Sequence, residues 1–291
     1  MSERTINIPE QKRDKRVTSL PTSFAVQQTA SFAPQRILAI ARNAFREAVR
    51  DRVLYNLVLF VLLLIVAAMF LGELSGGEEQ RIIVNLGLSA MLVFGAFIAL
   101  FVGVGLVYKE IERRTIYAIF SKPVGRGEFL IGKYLGLCLT LAVNVAVMGA
   151  GLSLALLYVR GGGDPLALTI WPAIGLIYLE LITLTAVALL FSTFSSPALS
   201  ALCAFAIFVI GHFSRDLNAF ATSLGSTGAR LLFGALYYLL PNLANYSFIA
   251  PAARGDVPSP AFFLLAAVYA FLYIVVLLAA ATLIFNRRNF K

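Results

Sequence analysis

Six apolar runs constrain this chain more than any other feature. They lie at about residues 53–72, 82–108, 128–158, 171–195, 197–213 and 261–285. A helix rises about 1.5 Å per residue, so every run but the fifth is long enough to cross the ~30 Å hydrocarbon core of a bilayer. The fifth is marginal. Ser195-Ser196-Pro197 divides the fourth run from the fifth, and a proline cannot continue the helix before it. A very tight turn is predicted there. No soluble core could take up this much apolar surface: 59% of the 291 residues are hydrophobic and 13% are charged, against roughly 25% charged in soluble domains. The expected fold class is an all-α integral membrane protein, a six-span helical bundle.

Charge gives the bundle a direction. The formal net charge is +9. In a soluble protein that excess would point to nucleic acid. Here the enrichment of Lys and Arg in cytoplasmic loops accounts for it, and no nucleic-acid partner is expected. With the N-terminus inside, Arg81, Arg160, Arg215, Arg230 and Arg254 fall outside, and the rest of the 24 Lys and Arg fall inside. Arg287, Arg288 and Lys291 then require an even number of spans, with both termini cytoplasmic. Residues 1–35 are polar and carry Arg4, Lys12, Arg13, Lys15 and Arg16. They lack a short apolar core and cleavage site, so they read as a disordered cytoplasmic tail rather than a signal peptide. Glu3, Glu10 and Asp14 interrupt the basic run and weigh against a transit peptide.

Two segments outside the runs have structure of their own. Residues 36–52 read RILAIARNAFREAVRDR. At 100° per residue, Ile37, Leu38, Ile40, Ala41, Ala44, Phe45, Ala48 and Val49 share one half of the wheel, with Arg42, Arg46 and Arg50 on the other. That is the pattern of a helix lying in the membrane interface, or of one packed on a partner protein. In 214–260, a short apolar piece from Leu231 to Leu240 ends at Pro241-Asn242, and Asn245, Ser247, Pro251, Gly255, Pro258 and Pro260 follow. Short re-entrant or interfacial helices before the last span are expected there, since irregular backbone at membrane depth needs protein or water beside it.

The loop from Lys109 to Glu128, KEIERRTIYAIFSKPVGRGE, is the most informative stretch. It mixes both signs of charge around an apolar piece, Thr115 to Phe120, too short to span. A free loop gains nothing by exposing Ile116, Tyr117, Ile119 and Phe120, so a short helix docked to a cytosolic partner is expected. Within the spans, Glu180 is the acidic residue deepest in an apolar run. A carboxylate there is costly and should face the bundle interior, as a lining group of a transport path or as a polar clamp; Thr183 and Thr185 are possible partners. Asn144 is a weaker pathway candidate, because amides often only bond across helices. His212, Arg215 and Asp216, at the outer end of the fifth run, read as a plain interfacial cluster in the first place, with a polar outer gate or a headgroup contact as the alternatives. Cys138 and Cys203 sit in apolar runs and read as small buried hydrophobes. Gly127 to Tyr134, GEFLIGKY, approaches the phosphate-loop pattern but has Tyr134 where a hydroxyl must hold magnesium. Lys133 reads instead as a side chain reaching to the interface, and Gly132 and Gly136 as small residues that permit close helix packing. No catalytic constellation or metal-ligand spacing appears.

The order of these features resembles an ABC-2 type transporter permease, the membrane subunit of an ATP-binding cassette transporter. The resemblance rests on ARNAFREAVRDRVLYN at the start, KEIERRTIYAIFSKPVGRGEFLIGKYLG in the loop and the basic tail FNRRNF, and covers about residues 36–291. It implies a permease, an exporter, with no ATPase activity of its own. Two permease subunits, identical or paired, would join two cytosolic ABC ATPase subunits that bind ATP and Mg. It places the ATPase coupling surface at Glu110, Glu112, Arg113, Arg114, Thr115, Tyr117 and Phe120, with Arg42, Arg46 and Glu47 beside it. Glu112 and Arg113 are expected to meet ATPase side chains. The alternatives are an ion-coupled secondary transporter or channel, which would carry several intramembrane ionisable groups, and a non-transporting membrane assembly protein.

Overall fold

The computed structural model describes residues 33–50, 59–60, 63, 78–112, 125–159, 166–214, 228, 234–235 and 240–287. Their secondary structure is helical throughout: α1 (Ala33–Arg50), α2 (Glu79–Glu112), α3 (Arg126–Val159), α4 (Leu166–Thr169), α5 (Trp171–Ser192), α6 (Pro197–His212), a 3-10 turn (Leu243–Tyr246), α7 (Ile249–Ala253) and α8 (Pro260–Arg287). The first predicted span, 53–72, falls outside the described residues except at 59, 60 and 63, as does nearly all of the predicted tail.

Four helical stretches are long and apolar enough to cross a membrane: Glu79–Gly105 within α2, α3, the combined Leu166–Ser192, and α8. They match the second, third, fourth and sixth predicted spans. The fourth differs at its ends: it runs over 166–192, not 171–195. Backbone bonds from Ile170 N–H to Leu166 O (3.2 Å) and Ile174 N–H to Ile170 O (3.0 Å) carry the helix across Ile170. Pro172 has no N–H to offer the carbonyl four residues back, and its position marks the junction of α4 with α5 rather than the start of the span. The fifth run forms α6, 16 residues or about 24 Å, short for a full crossing. Ser196 caps it in an extended conformation with Pro197 in the first turn, where a missing N–H does no harm. Residues 193–196 make the predicted tight turn between α5 and α6.

α5 is the centre of the bundle. α2, α3, α6 and α8 all pack on it, and Leu176, Leu181, Leu184, Val187 and Leu189 are buried along it. α8 packs on α5 and α3 but leaves Leu264, Leu265, Phe271, Leu272, Val276 and Leu283 exposed. In a bilayer, exposed apolar side chains of this kind carry no penalty, because lipid is as apolar as they are. The start of α3 is tied to the end of α8: the Arg126 guanidinium donates to the carbonyls of Phe285 (3.3 Å) and Asn286 (3.0 Å). Carbonyls in the last turn of a helix are commonly met by side-chain donors in this way.

The predicted amphipathic helix is present as α1, and its small-residue face lies on α3. Ala41, Ala44 and Ala48 are buried there. Arg36 approaches Glu128 at 3.8 Å, Ile40 faces Gly132, and Ala44 faces Gly136. These contacts advance together by four residues on each helix, so α1 runs lengthwise and parallel along the first turns of α3. An added Cβ at Gly136 would lie 2.6 Å from Ala41 O and 2.6 Å from Ala44 Cβ; at Gly132 it would lie 2.7 Å from Ile40 Cγ2. Only glycine allows this approach. The near-miss phosphate loop, Gly127 to Tyr134, is wholly helical and forms the floor of the α1 seat.

Candidate functional site

The chemistry-bearing residues gather in two places. The first is the end of the bundle where α2 stops and α3 starts. The connection between them carries the predicted coupling loop. Glu110 and Glu112 lie in the last turns of α2. Arg113, Arg114, Thr115, Tyr117 and Phe120 lie outside the described residues. α1 sits at this same end, because its seat is the first four turns of α3. Its uncovered face presents Gln35, Leu38, Ala39, Arg42, Asn43 and Arg46. Arg42 and Arg46 therefore point away from α3, as the wheel predicts, but Leu38, expected on the apolar half, is exposed beside them. Glu47 does not share that face. Its carboxylate is 3.2 Å from the Lys133 Nζ. Lys133 was expected to reach out to an interface. Its side chain is instead 2% exposed, held under α1 with its ammonium 5.8 Å from the Phe129 ring centroid. A buried charge needs a partner, and α1 supplies it.

The second place is a polar cluster around Glu180, built by α5, α6 and the segment returning from 240 to 247. Glu180 is 1% exposed, and its Oε1 lies 3.5 Å from His212 Nδ1. Neither atom makes a hydrogen bond to any described residue. The pairing follows from the hairpin. Glu180 and His212 lie at equal distances along the chain from Ser196, in the turn, so antiparallel helices bring them level. His212 thus belongs with Glu180 and not to a surface cluster; its predicted companions Arg215 and Asp216 lie outside the described residues. The expected partners of Glu180 are engaged elsewhere. Thr185 Oγ1 donates to Leu181 O at 2.8 Å. Thr183 Oγ1 donates to Leu179 O at 2.9 Å and meets the Tyr246 hydroxyl at 3.3 Å.

The return segment is wedged into the bundle rather than laid over it. Gly211 makes room for it: an added Cβ would lie 2.6 Å from Pro241 O. Asn242 N–H donates to the Tyr269 hydroxyl of α8 at 2.9 Å, and Ser214 Oγ donates to Asn242 Oδ1. Tyr246 is buried against Thr183. Irregular backbone is thereby given protein partners, as it must be at membrane depth. An apolar cavity of about 700 Å³ abuts this wedge, lined by Val187, Leu190, Phe191, Pro241, Tyr269 and Tyr273 among others.

Asn144 stands apart from Glu180. Tyr134 OH donates to Ile182 O and Tyr178 OH to Cys138 O, both at 3.2 Å, which sets Glu180 level with residues 134–138 of α3. Asn144 is about two turns further along. Its Nδ2 donates to Thr140 O at 2.8 Å, and its buried Oδ1 has no hydrogen-bond partner among the described residues.

A sequence model of the ABC-2 family transporter proteins matches residues 38–290. Two curated relatives carry the description "Probable ABC transporter permease protein NosY". The one from Stutzerimonas stutzeri is 30% identical over 124 residues, 40% of this chain and 45% of the relative. The one from Pseudomonas aeruginosa is 28% identical over 125 residues, 42% of this chain and 46% of the relative. The chain thus matches about half the length of each.

Proposed function

The chain belongs to the ABC-2 transporter family, and from that premise we propose that it is the permease subunit of an ATP-driven exporter in a bacterial cytoplasmic membrane. Two such subunits, identical or paired, work with two cytosolic ATPases that bind ATP and Mg; this chain hydrolyses nothing. Both termini are cytoplasmic, so α1, the 109–128 loop and the 193–196 turn face the ATPases. The return segment 240–253 then enters the bundle from the outer side.

The observation that carries this reading is the placement of α1. By lying on the start of α3, it brings the exposed Arg42 and Arg46 to the end of the bundle from which the coupling loop projects. The sequence that leaves this end, with Glu110, Glu112, Arg113, Arg114, Thr115, Tyr117 and Phe120, mixes both signs of charge around an apolar centre. That composition suits a protein interface more than a solvated loop. Closure of the ATPase pair on this surface tilts the spans. Glu180, with Asn144 further along, lines the path that the tilt opens. The mature complex should be purified from the native host: an ATPase should come with it and should be lost when Glu112 and Arg113 are both changed to Ala. Full transport by the chain alone in liposomes, without ATP, would overturn the proposal.

One observation favours a second reading. Glu180 and His212 are two ionisable groups facing each other inside the bundle, as an ion-coupled carrier requires. Uptake into liposomes driven by a proton gradient, with no ATPase present, would select it.

A further inference from the structure

We propose that Glu47 and Lys133 are positioning residues that lock α1 to α3, so that the two helices move as one body and deliver motion to the part of α5 that carries Glu180. The source of that motion rests on the permease reading; the lock itself does not.

Three independent features converge on the same seat. The first is shape. Gly132 and Gly136 let α1 approach until its backbone touches α3, and at Gly136 the nearest atoms are the Ala41 carbonyl oxygen, Ala44 Cβ and the Phe45 nitrogen. At Gly136 none of the three nearest atoms belongs to a flexible side chain that could absorb a slip. A shift of α1 by one turn, about 5.4 Å, toward the far end of α3 would drive Ala44 off Gly136 and bring the larger Ile40 onto it. The second feature is charge. The Lys133 ammonium is buried beneath α1, and the Glu47 carboxylate, 3.2 Å away, is only one-third exposed. Sliding α1 would pull Glu47 from an ammonium that stays covered, and separating a buried ion pair is unfavourable. The third is the second contact at the other end of the seat, Arg36 with Glu128 at 3.8 Å. The two ion pairs cross between the helices in opposite senses: α1 provides the base in one and the acid in the other.

The motion has a route onward. Tyr134, the neighbour of Lys133, donates its hydroxyl to Ile182 O on α5, and Tyr178 on α5 donates to Cys138 O on α3. The two bonds are reciprocal and both 3.2 Å long. They grip α5 two residues before Glu180 and two residues after it. A displacement of α1 with α3 therefore acts on α5 on both sides of Glu180 and His212.

The test uses spin labels at Asn43→Cys on the exposed face of α1 and Leu139→Cys on the exposed face of α3, in a chain with Cys138→Ala and Cys203→Ala. In the full chain alone in nanodiscs, the label-to-label distance distribution should be narrow. Glu47→Gln should broaden it, and the exchanged pair Glu47→Lys with Lys133→Glu should narrow it again. Equal widths in all three would overturn the lock. A merely stabilising contact would lower the unfolding temperature without changing the width. In the complex with the ATPase, the distribution should stay the same with and without ATP and vanadate. A shift between nucleotide states would show that α1 slides on α3 and would also overturn the proposal. Failure of any ATPase to bind would count against the permease reading alone, since the nanodisc arm still reads the lock.

Discussion

Replacing Gly136 by Ala should destabilise the chain, although the substitution favours the helix locally. Alanine in a helix interior is better than glycine by about 0.5–1 kcal/mol. The new Cβ would sit 2.6 Å from Ala41 O, 2.6 Å from Ala44 Cβ and 3.1 Å from Phe45 N. Two of these three are backbone atoms, so no rotamer change relieves the contact. α1 must retreat by roughly 1 Å to reach ordinary van der Waals separation, and a gap of that size forfeits about a quarter to a half of the dispersion energy along the seat. Overpacking of this kind costs about 1–3 kcal/mol. The net loss is up to about 2.5 kcal/mol after the gain in helix propensity. Gly151 is an internal control. It lies in the same helix, and an added Cβ there meets nothing within 4 Å, so Gly151→Ala should raise stability by about 0.5–1 kcal/mol. The assay is reversible unfolding of the purified chain in mixed micelles, followed by circular dichroism, for both variants beside the parent. If Gly136→Ala were as stable as Gly151→Ala, the close α1 seat would be wrong.

Other substitutions probe the second site. Gly211→Ala should force Pro241 away from α6 and cost about 1–3 kcal/mol, seen as faster hydrogen exchange across 241–247; unchanged exchange would contradict the wedge. Tyr246→Phe removes one side of the contact with Thr183 and should lower stability by about 0.5–1.5 kcal/mol in the same unfolding assay. His212→Ala leaves Glu180 without the group that faces it. Transport by the assembled complex should fall while the permease still co-purifies with its ATPase; full transport would remove the pair from the path.

The helices were legible because their cause is local. Long apolar runs admit few alternatives, and Ser195-Ser196-Pro197 fixed the turn between α5 and α6. α1 was legible from its wheel, and the bundle end that it shares with the loop follows once α1 meets α3. The contacts were harder to read. Lys133 lies near a span end, and from sequence an ammonium there has water within reach. Only the approach of α1, enabled by Gly132 and Gly136, removes that water and calls in Glu47. The pair of glycines was visible, but nothing local says which helix they receive. Glu180 was found by its cost in an apolar run, and its real partner was missed. The signal existed: His212 lies as far after the turn as Glu180 lies before it, and an antiparallel hairpin must bring them level. Thr183 and Thr185 are near Glu180 in sequence, but threonine in a helix bonds readily to the carbonyl four residues back, and both do.

The bond from Arg126 to the last carbonyls of α8 also sets an order in time. Its donor and acceptors are 159 and 160 residues apart. At about 5–20 residues per second of synthesis, the ribosome needs roughly 8–32 s to travel from one to the other. Until then the start of α3 and its α1 strut are in place, and the seam along α3 and α5 stays open to lipid. α8 is made after the other described helices and packs onto α5 and α3. A ribosome that stops short of Phe285 releases a bundle in which Arg126 cannot make these two bonds, so the clasp between the start of α3 and the end of α8 is missing.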